Sequence, residues 1–169
     1  MNNFYEITPE ELDKSPFALI GTDWMLITAE KDDKINTMTA SWGGFGVMWR
    51  RNVAYIAIRP QRFTKEFIDG SDTFSLTFFD KSFKKQLSYI GTVSGRDENK
   101  ILKSNLSVNH YESTPYFDEA NLAIICKKIY AQEYKPECFI DKSIEVCYPE
   151  KDYHTLYIAE ITKILIRKE

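Results

Sequence analysis

The chain has 169 residues, 43% hydrophobic and 28% charged, which suits one folded domain over residues 1–169 and is too short for two independent ones. Lysine and arginine total 22 against 25 acidic residues, a net charge of -3 with no long block of one sign, which excludes a general nucleic-acid binder. No apolar run reaches the roughly 20 residues that span a bilayer, and residues 1–5 carry neither a basic patch nor an apolar run, so a cytoplasmic protein without a membrane partner is expected.

Aromatic residues make up 14% of the chain, mostly Phe and Tyr, and favour β structure. Near the start, Ile7-Thr8-Pro9-Glu10-Glu11-Leu12 reads as a short helix. Thr8 caps it, Pro9 takes the first helical position, Glu11 closes a capping box and Ile7 staples to Leu12. A first strand is expected over 24–29, a charged turn over 30–34, and a second strand from Asn36. Residues 52–59 alternate Val53, Tyr55 and Ala57 with Ala54, Ile56 and Ile58, a strand covered on both faces that stops at Pro60. Phe63 and Phe67 mark a short amphipathic helix over 61–69, ended by Gly70, and 73–79 returns to a β pattern.

Asp80 is placed to cap a helix carrying Phe83, Leu87 and Ile90, with Gly91 just past its end and a loop over 92–96. Long β-branched and aromatic runs over 122–134 and 155–166 read as paired barrel strands, while 113–121 and 134–141 have the composition of loops. The order lacks strict βαβ alternation and internal repeats. It therefore points to a mainly β fold, a closed or split antiparallel barrel with a few short helices.

Three segments carry chemistry. In Arg59-Pro60-Gln61-Arg62-Phe63-Thr64, two guanidiniums and a hydroxyl stand where a strand gives way to a helix whose first N–H groups point outward, a set suited to a phosphate dianion. Two ion pairs with surface carboxylates fit the same spacing equally well. In Asn36-Thr37-Met38-Thr39-Ala40-Ser41-Trp42-Gly43-Gly44, small side chains and glycines suit close approach to a flat heteroaromatic ring, although Thr also favours strands in general. Ser94-Gly95-Arg96-Asp97-Glu98-Asn99-Lys100 reads as a loop leading into a helix capped by Asp97, with Arg96 and Lys100 facing either an anion or solvent.

Cys126, Cys138 and Cys147 lack a Cys-x-x-Cys pair or a His at ligand spacing, so no metal site or disulfide framework is expected and each is read as a buried or partly buried thiol. His110 and His154 are too few for a hydrolytic triad or a metal cluster. A lone His such as His154 is usually structural or solvated, yet beside a redox ring it could donate a proton or position a nicotinamide.

Taken in order, Asn36-Thr37-Met38-Thr39-Ala40-Ser41-Trp42, Arg59-Pro60-x-Arg62-x-Thr64 and Ser94-Gly95-Arg96-Asp97-x-x-Lys100 resemble the flavin reductase-like family of FMN-binding split barrels, which includes flavoredoxin. His154-x-x-Tyr157-Ile158-Ala159-Glu160-Ile161 is similar to the family's closing strand. The resemblance implies a six-stranded Greek-key barrel, a homodimer, and FMN bound noncovalently near the subunit interface. It assigns Thr37, Met38, Thr39, Ala40 and Ser41 to the isoalloxazine or ribityl chain, and Arg59, Arg62 and Thr64 to the phosphate. It further assigns Ser94, Gly95, Arg96, Asp97 and Lys100 to polar cofactor contacts, and His154, read above as a lone histidine, is the candidate catalytic position. The implied activity carries electrons from NADH or NADPH through FMN to a flavin or other small-molecule acceptor. The alternative is a nonenzymatic FMN carrier fed by a protein electron donor. No Gly-x-Gly-x-x-Gly follows a strand, so a nicotinamide would dock only transiently.

Overall fold

The computed structural model describes residues 3–168; Met1, Asn2 and Glu169, the ends of the expected domain, lie outside the described residues. Its main sheet is antiparallel throughout and built from β1 (Phe4–Ile7), β2 (Met25–Lys31), β3 (Lys34–Ala40), β4 (Gly43–Met48), β5 (Arg51–Ile58), β6 (Thr73–Phe78), and two long strands, Leu122–Glu133 and Thr155–Arg167. Between β5 and β6 runs helix α1 (Thr64–Gly70). After β6 come α2 (Lys84–Thr92), α3 (Lys100–Lys103) and a separate hairpin of β7 (Val108–Tyr111) and β8 (Thr114–Phe117), which makes the long strands β9 and β10.

The path β3-β2-β6-β9-β10-β5-β4 is a split barrel. This path has seven strands, and β1 joins off it as the eighth where six are expected, because β10 is long enough to serve two neighbours on one edge. Residues 155–160 pair with β5 and residues 164–167 pair with β1. Register shifts between Ile158 and Ala159 and between Ile161 and Lys163 mark irregularities in the β9–β10 ladder, where local twist increases. The interior holds Met25, Ile27, Ile56, Ile58, Phe74, Leu76, Ile124 and Tyr157, all essentially without solvent contact. Each such apolar side chain contributes about 1.5–3 kcal/mol through burial.

Several local expectations shift for physical reasons. The charged turn contracts to Asp32 and Asp33, both with positive φ as a two-residue hairpin requires, so β2 runs on to Lys31 and β3 starts at Lys34. The glycines after Trp42 open β4: at Gly43 a Cβ would lie 2.3 Å from the Tyr55 carbonyl oxygen, so only glycine fits there. The loop composition over 113–121 hides β8, whose four residues are all buried. Thr8 and Glu11 do form the capping box, but around a single 3-10 turn. Asp80 caps a 3-10 turn through Ser82 N (2.9 Å) before α2 begins, and Gly91 lies inside α2 rather than beyond it. Asn99, not Asp97, caps α3 by accepting from Leu102 N (3.1 Å). Of the cysteines, Cys126 is buried, with its thiol pushed far up by burial, whereas Cys138 and Cys147 are exposed, against expectation. Among the described residues no helix is long and apolar enough to cross a membrane, and no cluster of His, Cys and acidic side chains could hold a metal ion.

Candidate functional site

Three strand ends meet at one rim of the barrel. β3 ends at Ala40 and turns through Ser41 and Trp42 into β4, while β5 ends at Ile58 because Pro60 cannot extend the ladder. The pairing of Thr155 with Ile58 then brings His154, just before β10, alongside Arg59. Between these ends lies a cavity of about 180 Å³ lined by Met38, Thr39, Ala40, Ser41, Trp42, Ala57, Arg59, Arg62 and His154. On its other side the same Thr39–Ser41 stretch borders an apolar cleft of about 270 Å³ walled by Trp24, Leu87 and Gly91. Thr39 is fixed by donating to the Leu87 carbonyl (2.5 Å).

The two arginines sit in different surroundings. Arg59 pairs with Asp152, donates to the Cys147 carbonyl (2.8 Å) and stacks its guanidinium 5.2 Å from the centre of the Tyr148 ring. Gln61 donates to the same Asp152 oxygen (2.6 Å). Arg62 donates to the Gly91 carbonyl (3.1 Å) and meets no carboxylate among the described residues. Behind it Lys100, only 3% exposed, donates to the Ile90 and Val93 carbonyls (3.2 and 3.1 Å). Burial depresses Arg62, and burial together with the charge of Arg62 holds Lys100 down at about 8. Two neighbouring cations close to one carbonyl-rich helix end, without an acid, leave local positive charge beside the cavity.

His154 is buried, with its Nδ1 2.8 Å from Tyr148 Oη and its ring 4.9 Å from that of Trp42. Burial, and secondarily the charge of Arg59, lowers its pKa to about 4, with Asp152 opposing. It is therefore a neutral imidazole at physiological pH.

The structure gathers Met38, Thr39, Ala40, Ser41, Arg59, Arg62 and His154 around one cavity and leaves the other sequence-selected residues elsewhere. Thr37 is fully buried on the strand face opposite Met38, donating to Ile27 O (3.1 Å) and sharing a 2.9 Å bond with Thr28. Thr64 is buried too, its hydroxyl accepting from Asn36 Nδ2 (2.9 Å). The N–H groups expected to point outward at this helix start are partly consumed, since Arg62, Lys65 and Glu66 donate to the carbonyls of Arg59, Arg62 and Phe63. Gly95, Arg96 and Lys100 line a second cavity of about 600 Å³ with Asn36 and Phe63. There Gly95 lets the loop approach Asn36 closely, since a Cβ would fall 2.2 Å from Asn36 Oδ1 and push that side chain aside. Arg96 pairs with Glu66 and covers the Phe63 ring at 4.5 Å. Ser94 Oγ accepts from Arg96 N (3.2 Å), and Asp97 is exposed.

Sequence reasoning passed over Trp42, Ala57, Gln61, Tyr148 and Asp152. Trp42 was within reach, as the next residue of its motif; Tyr148 and Asp152 arrive through a segment with no periodicity. Phe139 stacks on Tyr148 at 5.9 Å and Tyr153 lies 4.9 Å from it, which folds that segment over the rim.

A family model described as flavin reductase like domain matches residues 17–169. No curated protein matches in sequence. Among solved structures, the FMN-binding domain of a flavin reductases-like enzyme from Shewanella baltica is 18% identical with a TM-score of 0.72, over 98% of this chain and 78% of that one. Flavoredoxin of Desulfovibrio vulgaris is 21% identical with a TM-score of 0.69, over 95% and 78%. The styrene monooxygenase flavin reductase from Pseudomonas putida is 15% identical with a TM-score of 0.63, over 87% and 80%. At such identities these likenesses show the fold.

Proposed function

Since this chain belongs to the flavin reductase-like domain family, we propose that it binds FMN at the Met38–Trp42 wall and acts as an oxidoreductase, carrying electrons from NADH or NADPH to a flavin or other small acceptor. The observation that supports this reading best is Arg62, which lines the wall of small side chains and meets no carboxylate among the described residues. A buried cation without a carboxylate is costly, and an anionic ligand relieves it.

The residues present fit the group. Arg62 would take the phosphate first, because its guanidinium is not already matched by an acid, and Arg59 would add to it once Asp152 shares its charge. Ala40, Ser41 and Ala57 leave room for a flat ring, and Trp42 and His154 close one edge. Bound FMN would supply two-electron redox chemistry at its ring. The chain's part is to grip the phosphate, hold the ring against β3 and present a neutral imidazole. Gly95, Arg96 and Lys100 face the neighbouring cavity and would act on more distant parts of the ligand. The homodimer belongs to the same proposal, and sizing of the purified protein tests it.

The experiment for the reading as a whole is optical. Purified protein should be yellow or take up FMN stoichiometrically, and anaerobic NADH or NADPH should bleach it. Protein that never takes up FMN overturns the proposal, and protein that bleaches with dithionite but with neither nicotinamide replaces the reductase with an electron carrier.

A further inference from the structure

Among the described residues His154 has one polar partner for its ring. Tyr148 Oη lies 2.8 Å from Nδ1, and Nε2 makes no hydrogen bond within the described chain while the residue lines the cavity. A neutral imidazole has one donor and one acceptor nitrogen, and the bond at one nitrogen decides the role of the other. A phenol is a stronger hydrogen-bond donor than an imidazole N–H, and an imidazole nitrogen is a far better acceptor than a phenol oxygen. Tyr148 therefore donates to Nδ1, and the proton of His154 sits on Nε2.

Tyr148 is itself held on every side. It is 4% exposed, stacked on Phe139, packed against Tyr153, and covered by the Arg59 guanidinium at 5.2 Å. Burial raises the pKa of the phenol, with the charge of Arg59 opposing, so the hydroxyl keeps its proton and is available to donate. The backbone of His154 is fixed as well, since its carbonyl accepts from Tyr134 N (2.8 Å).

We propose that Tyr148 is a positioning residue that locks His154 as the Nε2–H tautomer, so that the cavity receives a fixed neutral donor for a carbonyl oxygen of the bound heterocycle. This rests on the reading that a flavin or nicotinamide occupies the cavity, since both present ring or amide carbonyls. The lock lies on a segment outside the three motifs that carry the family resemblance. Its charged and titratable surroundings are Arg59, Asp152, Tyr134 and Tyr148, and of these only Asp152 favours the imidazolium.

The test uses nitrogen-15 NMR of the imidazole in a His110→Gln background, which leaves His154 as the single histidine. The spectrum should show Nδ1 unprotonated and Nε2 protonated from pH 5.5 to 8. In Tyr148→Phe the two tautomers should mix and the titration move upward. An Nδ1–H signal in the parent, or a Tyr148→Phe spectrum indistinguishable from it, overturns the proposal; if Tyr148→Phe fails to fold, the parent spectrum decides alone.

The donor role is read separately from turnover. His154→Gln, which keeps an N–H, should retain kcat within about tenfold, while His154→Leu should lose several-fold more with little change in KM. Equal losses would remove the donor role. Absorbance of the same samples reports FMN uptake, so a colourless protein with the Nε2–H spectrum marks failure of the proposed function and not of the tautomer lock.

Discussion

Arg59 and Arg62 stand three positions apart and reach one cavity, yet the two sides of that cavity are built on opposite terms. On the Arg59 side, Asp152, Gln61, the Cys147 carbonyl and the Tyr148 ring satisfy the guanidinium, and His154 stays neutral. On the Arg62 side stand the buried Lys100 and backbone carbonyls, with no acid among the described residues. The difference teaches that residue type alone does not make an anion site. The compensated side suits the neutral, aromatic part of a ligand, and the uncompensated side suits its negative end.

The strongest way to break this contrast is Arg62→Ala. Loss of a charge-assisted contact worth about 1.5–3 kcal/mol should weaken FMN binding roughly ten- to a hundredfold in a fluorescence titration. An unchanged Kd would mean the phosphate lies elsewhere. Arg59→Ala should weaken the same titration by less than about tenfold, because the ion pair with Asp152 already draws on its charge.

Asp152→Asn sharpens the comparison in the other direction. It frees Arg59, and FMN should bind up to about fivefold tighter, the scale of one partly exposed ion pair. Asp152 Oδ1 is buried without a hydrogen-bond partner among the described residues, so the carboxylate is only half satisfied and its loss should leave the fold intact. A weaker FMN affinity in this variant would show that Arg59 needs the carboxylate to hold its geometry.

A separate consequence of the same contrast concerns pH. Lys100 has a folded pKa of about 8, below its ordinary value of 10.5, so between those values the unfolded chain carries the extra proton. Stability should accordingly rise with pH from 8 to 10.5 through this residue, and urea unfolding of Lys100→Met should lack that rise. Added FMN should lift the pKa of Lys100 and flatten the same profile. His154 obeys the same sign at lower pH: its depressed pKa of about 4 means that stability falls as pH drops from 6.5 toward 4.

The residue pattern by itself determined the alternating strands around Val53–Ile58, the two long strands, the short helices and the small-residue wall at Met38–Ser41. These follow from side-chain period, β-branching and capping, all local properties of the chain. Local signals also carried Arg59, Arg62 and His154 to one end of the barrel, since Pro60 stops β5 and β10 begins just after His154. Only the tertiary structure decided that Thr37 and Thr64 are buried, that β1 fills the free half of β10, and that Gly95, Arg96 and Lys100 border a separate cavity. It alone sorted the two arginines as well. Charge compensation depends on which side chain arrives from 93 positions away, as Asp152 does at Arg59, and no local period encodes that distance.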